Sequence, residues 1–239
     1  MKTLSMFVVI VAASAATLFG EEEKSITVDF TPRVLSKYVD ADGVVFYDGL
    51  VAQADFTVSV ENGLYLNIWQ SRGLRGHRVD QVLDETDYHL GWAGEIGGLA
   101  IDISGGYYDL SPIMKDTRNG IKSFAVELRP AGDRPFTPFV SLESYHTKSD
   151  ADFEGGTRTR VGLEFSLSVG NASIEQSLEV CHEDGAFGLG KATVGIYSVD
   201  FVWGKGARTI ILPSLSVYYP FSKKDGQKTE FVVGIGVAW

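Results

Sequence analysis

Ser144 and His146 are spaced as a nucleophile and its general base would be on a strand. They stand two residues apart, so their side chains share one face of a predicted strand with Val140 and Leu142. Serine–histidine catalysis also requires a third group that orients the histidine. The sequence offers no convincing third residue. It therefore favours a polar pair at the rim of the protein over a lipid-active enzyme site, and we expect no catalytic residue.

A second set of charged residues alternates with apolar residues along several segments. Paired carboxyl groups serve general acid–base catalysis, but charges on the inner face of a closed sheet also need partners or water. Because Arg33, Arg129, Arg158 and Arg160 are available as partners, the sequence favours an ion network over catalysis. The candidate lumen-lining residues, which would set selectivity, are Arg33, Asp55, His89, Asp102, Glu127, Glu143, Arg158, Arg160, Glu164 and Glu175.

Residues typical of metal and disulfide sites are sparse. His77, His89, His146 and His182 are scattered without carboxylate spacing, and Cys181 is the single cysteine. A lone cysteine excludes an internal disulfide framework and a cysteine-based zinc site. We expect neither a metal nor another cofactor.

The elements that would position these residues are strands, because apolar and polar side chains alternate with a period of two. In the last segment Phe231, Val233, Ile235, Val237 and Trp239 share one face, and small residues occupy the other. The predicted strands span 26–37, 46–60, 64–71, 85–96, 99–109, 120–129, 136–146, 157–169, 172–182, 188–203, 207–219 and 229–239.

Short and long connections alternate between these strands. The short ones contain Asn62-Gly63, Gly97-Gly98, Gly170-Asn171 and Gly204-Lys205-Gly206, residues that accept the positive φ of hairpin turns, and Pro130–Pro135 is slightly longer. The long polar connections span 38–45, 72–84, 110–119, 147–156, 183–187 and 220–228. Short turns at one end and long loops at the other are typical of outer-membrane barrels.

The outward faces carry mainly apolar residues, as a lipid-facing surface requires. The outward charges Asp48, Lys122 and Lys191 fall near predicted strand ends, whereas a basic residue at the midplane would cost about 2–4 kcal/mol. Gln176 is an outward polar residue nearer the middle of its strand. The sequence therefore predicts an all-β fold, an antiparallel transmembrane β-barrel of about twelve strands.

The first residues have the pattern of a cleaved signal peptide. Lys2 precedes an apolar run over 4–12, and Ala13-Ser14-Ala15 offers a cleavage site. We expect residues 1–20 to be this signal and residues 21–239 to form one barrel domain. The formal net charge of −10 argues against a nucleic-acid partner, which would require a basic face.

Two stretches carry resemblances to known families. The final TEFVVGIGVAW is similar to the assembly signal that ends bacterial outer-membrane proteins, with Trp239 in the place of the usual phenylalanine. Segments around Ser36-Lys37-Tyr38-Val39, NGLYLNIWQS and the hairpin of Glu85, Asp87 and Gly91 resemble the TorF family of porins, although Asp40-Ala41 replaces its usual Arg-Gly. The resemblance covers roughly the first half of the mature chain and implies an outer-membrane barrel with a channel role.

These observations predict a porin-like channel of the bacterial outer membrane that passes small solutes by diffusion and prefers cations, because the inward charges lean acidic. The partners would be outer-membrane lipid, the assembly machinery and the solutes, and the oligomeric state stays open. A closed or plugged barrel with a structural or adhesive role is the alternative, since about twelve strands lie between side-chain-filled barrels and open porins.

Overall fold

The segments in which apolar and polar side chains alternate form the strands of a sheet, and the two faces of this sheet have different surroundings. The structure is a computed structural model and describes residues 25–74, 84–110, 120–132, 134–147, 155–185, 190–204, 210–222 and 227–238. The predicted signal peptide, His77, Trp239 and part of the predicted turn at 204–206 lie outside these residues, and those predictions stay predictions. Within the described residues there is no helix with the length and apolarity needed to cross a bilayer.

The described residues form fourteen strands, and twelve of these close into one antiparallel barrel. The strands are β1 (Ile26–Leu35), β2 (Tyr38–Val39), β3 (Val45–Tyr47), β4 (Val51–Val60), β5 (Leu64–Gly73), β6 (Asp84–Ile96), β7 (Leu99–Asp109), β8 (Gly120–Pro130), β9 (Phe136–His146), β10 (Gly156–Val169), β11 (Ala172–Asp184), β12 (Lys191–Trp203), β13 (Ile210–Ser222) and β14 (Glu230–Ala238). The predicted all-β antiparallel barrel is confirmed.

The barrel closes where β1 meets β14. Along the described chain this seam pairs Arg33 with Gly236, Val34 with Ile235 and Leu35 with Gly234. On its other side β1 pairs with β4 over its whole length. This seam makes the sheet a closed barrel, the form in which strands can satisfy their backbone groups in a hydrocarbon surrounding.

The short turns contain glycines with the positive φ that the sequence predicts for them. Gly63, between β4 and β5, has a φ of +88°, and its amide donates to the Val60 carbonyl at 2.8 Å. A side chain there would overlap the Ala93 carbonyl oxygen of the next hairpin, so glycine is required both by φ and by space. Five such short connections lie at one end of the barrel, which we name the short-turn end, and the long connections lie at the long-loop end.

The outer wall is apolar. Leu90 is 66% exposed, Leu142 54% and Phe231 58%, values typical of surface polar residues rather than of large apolar ones in a water-soluble domain. Lys122 and Lys191 face outward near the long-loop end, as predicted. Gln176 also faces outward, and it accepts a hydrogen bond from the Tyr197 hydroxyl at 2.6 Å, so its amide oxygen is not left unpaired on this face.

The first long connection differs from the prediction. The sequence indicated strands over 26–37 and 46–60 with a polar loop at 38–45. In the structure β1 ends at Leu35 and β4 begins at Val51, and residues 36–50 form a separate segment that contains the β2–β3 hairpin. The placement of Asp48 on an outward strand face is therefore wrong, because Asp48 lies in an exposed bend of this segment.

Residues 36–50, named the inward loop from here on, fold into the barrel. Val39 is 6% exposed, Tyr47 4% and Asp42 fully buried. Ala41 packs against Cys181, Val194 and Ile196 on the far wall. Val39 and Tyr47 are thus covered by the barrel instead of being left in solvent, which is why these residues do not form a polar solvent-exposed loop.

Candidate functional site: the barrel lumen

All ten predicted lumen residues lie on the inward face of the barrel. The strand pairing joins them in rows around the wall, so that Asp102 pairs with Glu127, and Glu143 pairs with Arg158. Arg33, Asp55, His89, Arg160, Glu164 and Glu175 occupy inward positions of β1, β4, β6, β10 and β11. Their role in selectivity stays a prediction.

The four predicted inward arginines that the structure describes, Arg33, Arg129, Arg158 and Arg160, all contact carboxylates. Arg33 binds Asp200 at 3.1 Å, Arg160 binds Glu179 at 2.6 Å, and Arg129 binds Glu164 at 2.9 Å as well as Glu127. Charges in a confined lumen are stabilised by such partners. The arrangement is the ion network expected from the sequence, with Asp200 and Glu179 as acceptors.

Two of these ion pairs run along the barrel wall. Arg160 and Glu179 lie on the adjacent strands β10 and β11, and Arg129 reaches Glu164 over the single intervening strand β9. Between them lies the ring of Phe139, with the Arg129 and Arg160 guanidinium carbons at 5.9 and 5.6 Å from its centroid. These ion pairs therefore follow the wall and do not bridge the lumen.

Tyrosine hydroxyls donate hydrogen bonds to two of the inward acids, Asp102 and Glu143. Tyr65 donates to Asp102 at 2.7 Å, and Tyr108 and Tyr145 donate to the two oxygens of Glu143 at 2.6 and 2.7 Å. The sequence analysis missed these tyrosines. Alternation along β5, β7 and β9 places these tyrosines on the inward face and could have indicated them. An inward tyrosine beside an inward acid can donate a hydrogen bond to it.

The inward loop does cross the lumen. At one side, Tyr38 donates its hydroxyl to Glu85 of β6 at 2.6 Å. At the other, the Asp40 carboxylate binds Arg158 of β10 at 2.5 Å. Among the described residues, the inward loop is thus fastened to two walls of the lumen at the long-loop end.

Several further contacts fix the inward loop. Burial raises the pKa of Tyr38 well above its usual value, and the negative charge of Glu85 adds to this, so the phenol stays protonated and donates. Gln227, in the last long connection, donates to the Asp42 carbonyl oxygen at 2.8 Å. Lys37 binds Glu230 at 2.7 Å, which ties the loop to β14 beside the closing seam.

Asp40, Asp42 and Glu183 bring three carboxylates within 4.8 Å of one another, an arrangement able to hold a cation. The Arg158 guanidinium already occupies this position, at 2.5 Å from Asp40 and 3.3 Å from Glu183. The carboxylates of this cluster therefore bind Arg158 of the same chain, and this contact anchors the inward loop.

Two cavities adjoin the inward loop. One of about 420 Å³ is lined by Tyr38, Asp55, Trp69, Asp87, His89 and other inward residues. The second, of about 210 Å³, lies against Ala41, Asp102, Glu127, Ser141 and Arg160. Unlike a barrel whose side chains fill it, this lumen keeps polar space on the scale of small-molecule sites.

Ser144 and His146 face outward near the long-loop end, as predicted. The Ser144 Oγ lies 3.3 Å from His146 Nε2, and both groups are at the surface. In the described part of the chain no carboxylate is seen to orient His146. The geometry supports a rim pair, and the absence of a catalytic site stays a prediction.

The remaining histidines are separated from one another. His89 packs edge-on against Tyr108, with ring centroids 5.3 Å apart, and His182 contacts Thr193 Oγ1 at 2.9 Å on the outer rim. In the closing strand Phe231, Val233, Ile235 and Val237 share the outward face, while Trp239 lies outside the described residues. Their role as an assembly signal stays a prediction.

Solved structures of two outer-membrane proteins share this fold. The NanC porin matches with a TM-score of 0.54 at 7% identity, covering 89% of this chain and 99% of its own. An outer membrane channel from Pseudomonas putida F1 matches with a TM-score of 0.51 at 8% identity, covering 90% of this chain and 94% of its own. At such identities the likeness shows the barrel fold alone.

No protein-family model matches the chain, and no curated protein matches it. The resemblance to the TorF family is therefore not confirmed, whereas the porin-like barrel that the resemblance implied is supported by the fold.

Proposed function

We propose that this protein is a porin-like channel of the bacterial outer membrane that passes small solutes by diffusion and prefers cations. The observation that carries the proposal is the form of the lumen: a closed barrel with an apolar outer wall, polar inner walls, and cavities of about 420 and 210 Å³ beside the inward loop. The two structurally similar proteins, named as a porin and a channel, support it.

The inward loop would set the size limit of this channel. It is joined to β6 through Tyr38 and to β10 through Asp40, so it would make the passage narrowest beside it. The Arg160–Glu179 and Arg129–Glu164 pairs follow the wall, whereas Arg33 of β1 reaches Asp200 of β12 over two intervening strands. A solute would pass beside the loop, where it meets charged and hydrogen-bonding groups instead of apolar ones.

Cation preference follows from the excess of acids. Among the described residues the basic side chains Arg33, Lys37, Arg129, Arg158 and Arg160 face the lumen, and each is bound to a carboxylate. Acids that have only hydroxyl or amide partners include Asp55, Asp102, Glu143 and Glu175. A low-dielectric wall would focus this negative potential along the lumen.

A second candidate function is a barrel closed by its own loop, with a structural or adhesive role. The observation that favours it is the fastening of the inward loop on two sides of the lumen. In this case the cavities would be enclosed spaces, and neither salt nor solutes would pass.

The localisation and the partners form part of the same proposal. The exposed apolar outer wall would contact outer-membrane lipid. The assembly machinery would recognise the alternating apolar residues of β14. The Ser144–His146 pair would be a polar pair at the outer rim that takes no part in catalysis.

Conductance of the purified protein in planar lipid bilayers tests the proposal. A channel gives discrete current steps in potassium chloride, and a salt gradient gives a reversal potential of the sign expected for cation preference. Heat-modifiable migration on gels confirms that the inserted protein is folded. Absence of current from folded, inserted protein would favour the closed barrel.

A further inference from the structure

An aromatic residue flanked by two carboxylates lies on the wall of the larger cavity. Strand pairing sets Asp55 of β4 opposite Trp69 of β5, and Trp69 opposite Asp87 of β6. Neighbouring strands are about 4.8 Å apart, so the three side chains stand side by side on the inward face. All three line the cavity of about 420 Å³.

Asp87 is the residue of this row that has a buried oxygen without a hydrogen-bond partner among the described residues. It is only 6% exposed, and within the described part of the chain its Oδ1 has no hydrogen-bond partner. Glu85, two residues earlier and 5% exposed, interacts with the same carboxyl group and receives the Tyr38 hydroxyl. Two buried carboxyl groups in contact either share a proton or are stabilised by a positively charged partner, and a buried carboxyl oxygen favours a hydrogen-bond donor.

The basic groups around the cavity are occupied elsewhere. Lys37 is bound to Glu230 at 2.7 Å and to Asp48 at 3.5 Å, and Arg158 is bound to Asp40 and Glu183. Asp55 receives the Asn67 amide and the Thr57 hydroxyl, which are neutral donors. The negative charge of this wall is thus not balanced by a cation of the described chain.

Aromatic rings complete the surroundings. The Tyr38 and Trp69 ring centroids are 5.7 Å apart, and Tyr108, which pairs with Asp87 across β6 and β7, lines the same cavity. The face of an indole attracts a cation and also covers an apolar body. Carboxylates around an aromatic platform therefore select a ligand that is both positive and partly apolar.

From this arrangement we infer that the cavity binds small organic cations with a primary ammonium group and a short alkyl body. The ammonium group donates to Asp87 Oδ1, and the alkyl chain lies over Trp69 towards Asp55. This names a substrate class for the proposed channel and rests on that function, although binding itself needs no conduction. A bare divalent ion fits less well, since the indole supplies no oxygen ligand.

Equilibrium binding to the folded protein in detergent micelles tests this. The probe is 1,4-diaminobutane, with 1,4-butanediol as the neutral analogue of the same length, followed by titration calorimetry. We expect the diamine to bind and the diol to bind at least tenfold more weakly. Equal binding of the two, or no binding of the diamine, would overturn the inference.

Variants locate the site. Asp87→Asn should weaken diamine binding at least tenfold, and Trp69→Leu severalfold. Glu175→Gln removes one inward carboxylate bound to Ser173 and outside this cavity, so it is the matched control and should bind as the wild type does. Asp55→Asn is the second test at the site if Asp87→Asn does not fold. Equal weakening in Glu175→Gln and Asp87→Asn would mean that general charge attraction, and not this site, holds the diamine.

The result separates this inference from the proposed function. A protein that binds the diamine through Asp87 but carries no current would keep the site and remove the channel. A protein that carries current but does not bind the diamine would keep the channel and remove the site.

Discussion

The guanidinium of Arg158 on β10 binds the carboxylate of Asp40 at 2.5 Å, although the two residues are 118 positions apart. Both side chains are nearly buried, with 11% and 12% of their side-chain surface exposed. Glu183, which is fully buried, is the second partner of the same guanidinium at 3.3 Å. This contact turns a connection between two strands into a fixed element of the lumen.

Breaking the Arg158 contacts should destabilise the protein strongly. Arg158→Gln leaves buried acids without their cation, and loss of one partner of a buried ion pair costs roughly 3–5 kcal/mol. Arg33→Gln is the control, because the Arg33–Asp200 pair is about one-third exposed on both sides and should cost less than half as much. Urea unfolding, followed by heat-modifiable migration, measures both. Equal losses would contradict the anchoring role of Arg158.

Removal of the inward loop should widen the channel. Replacing residues 39–46 with a short Gly-Ser linker removes Asp40 and the tip that packs on Cys181, Val194 and Ile196. We expect a severalfold larger single-channel conductance, because the narrowest part of the lumen is lost. Lys191→Gln, which breaks the exposed Lys191–Asp184 pair at the same end, is the control and should leave conductance unchanged. An unchanged conductance after loop removal would show that the constriction lies elsewhere.

Reversal potentials should report cation preference that weakens as salt concentration rises, since screening shortens the reach of the wall charges. Asp102→Asn combined with Glu143→Gln should reduce the preference, because these acids are held by tyrosine hydroxyls and their removal leaves no arginine unpaired. Glu61→Gln, in an exposed turn, is the control. Clear anion preference of the wild type that disappears in an Arg158→Ser, Arg160→Ser variant would reverse the prediction.

The closing seam should not tolerate a side chain at Gly236. A Cβ there would lie 2.6 Å from Arg33 Cγ and 3.1 Å from the Pro32 carbonyl oxygen, so β1 and β14 would have to shift. Gly236→Ala should lower the free energy of unfolding by about 1–3 kcal/mol, the usual cost of overpacking. Gly105→Ala is the matched control, because its Cβ would meet only the Ser123 carbonyl oxygen at 3.8 Å. Similar stability of the two variants would argue against a tight seam.

The outward residues of the closing strand should be needed for assembly. Phe231→Ala with Trp239→Ala should lower the amount of folded protein in the outer membrane, measured by membrane fractionation and heat-modifiable migration. Phe124→Ala removes an outward aromatic residue that is 52% exposed, from a strand inside the barrel order, and is the control. Full membrane levels of the double variant would refute an assembly role for this strand.

The sequence determined the barrel strands closely. The predicted span 136–146 equals β9, and 99–109 equals β7, because period-two alternation between apolar and polar residues is a local property of the chain. The inward positions of Asp55, Glu127 and Arg160 followed for the same reason, since alternate residues of a strand face opposite sides of the sheet. The turn residues fixed where most hairpins reverse.

Only the tertiary structure decided what the first long connection does and which residues form pairs. Alternation places Arg158 on the inward face, but it does not predict that Asp40 binds this arginine. Asp40 belongs to a segment in which apolar and polar residues do not alternate regularly. Likewise, the row of Asp55, Trp69 and Asp87 depends on how β4, β5 and β6 align. Local pattern specifies the face of a strand, whereas contacts between distant residues depend on strand register, closure and the space left inside, which exist only once the barrel has formed.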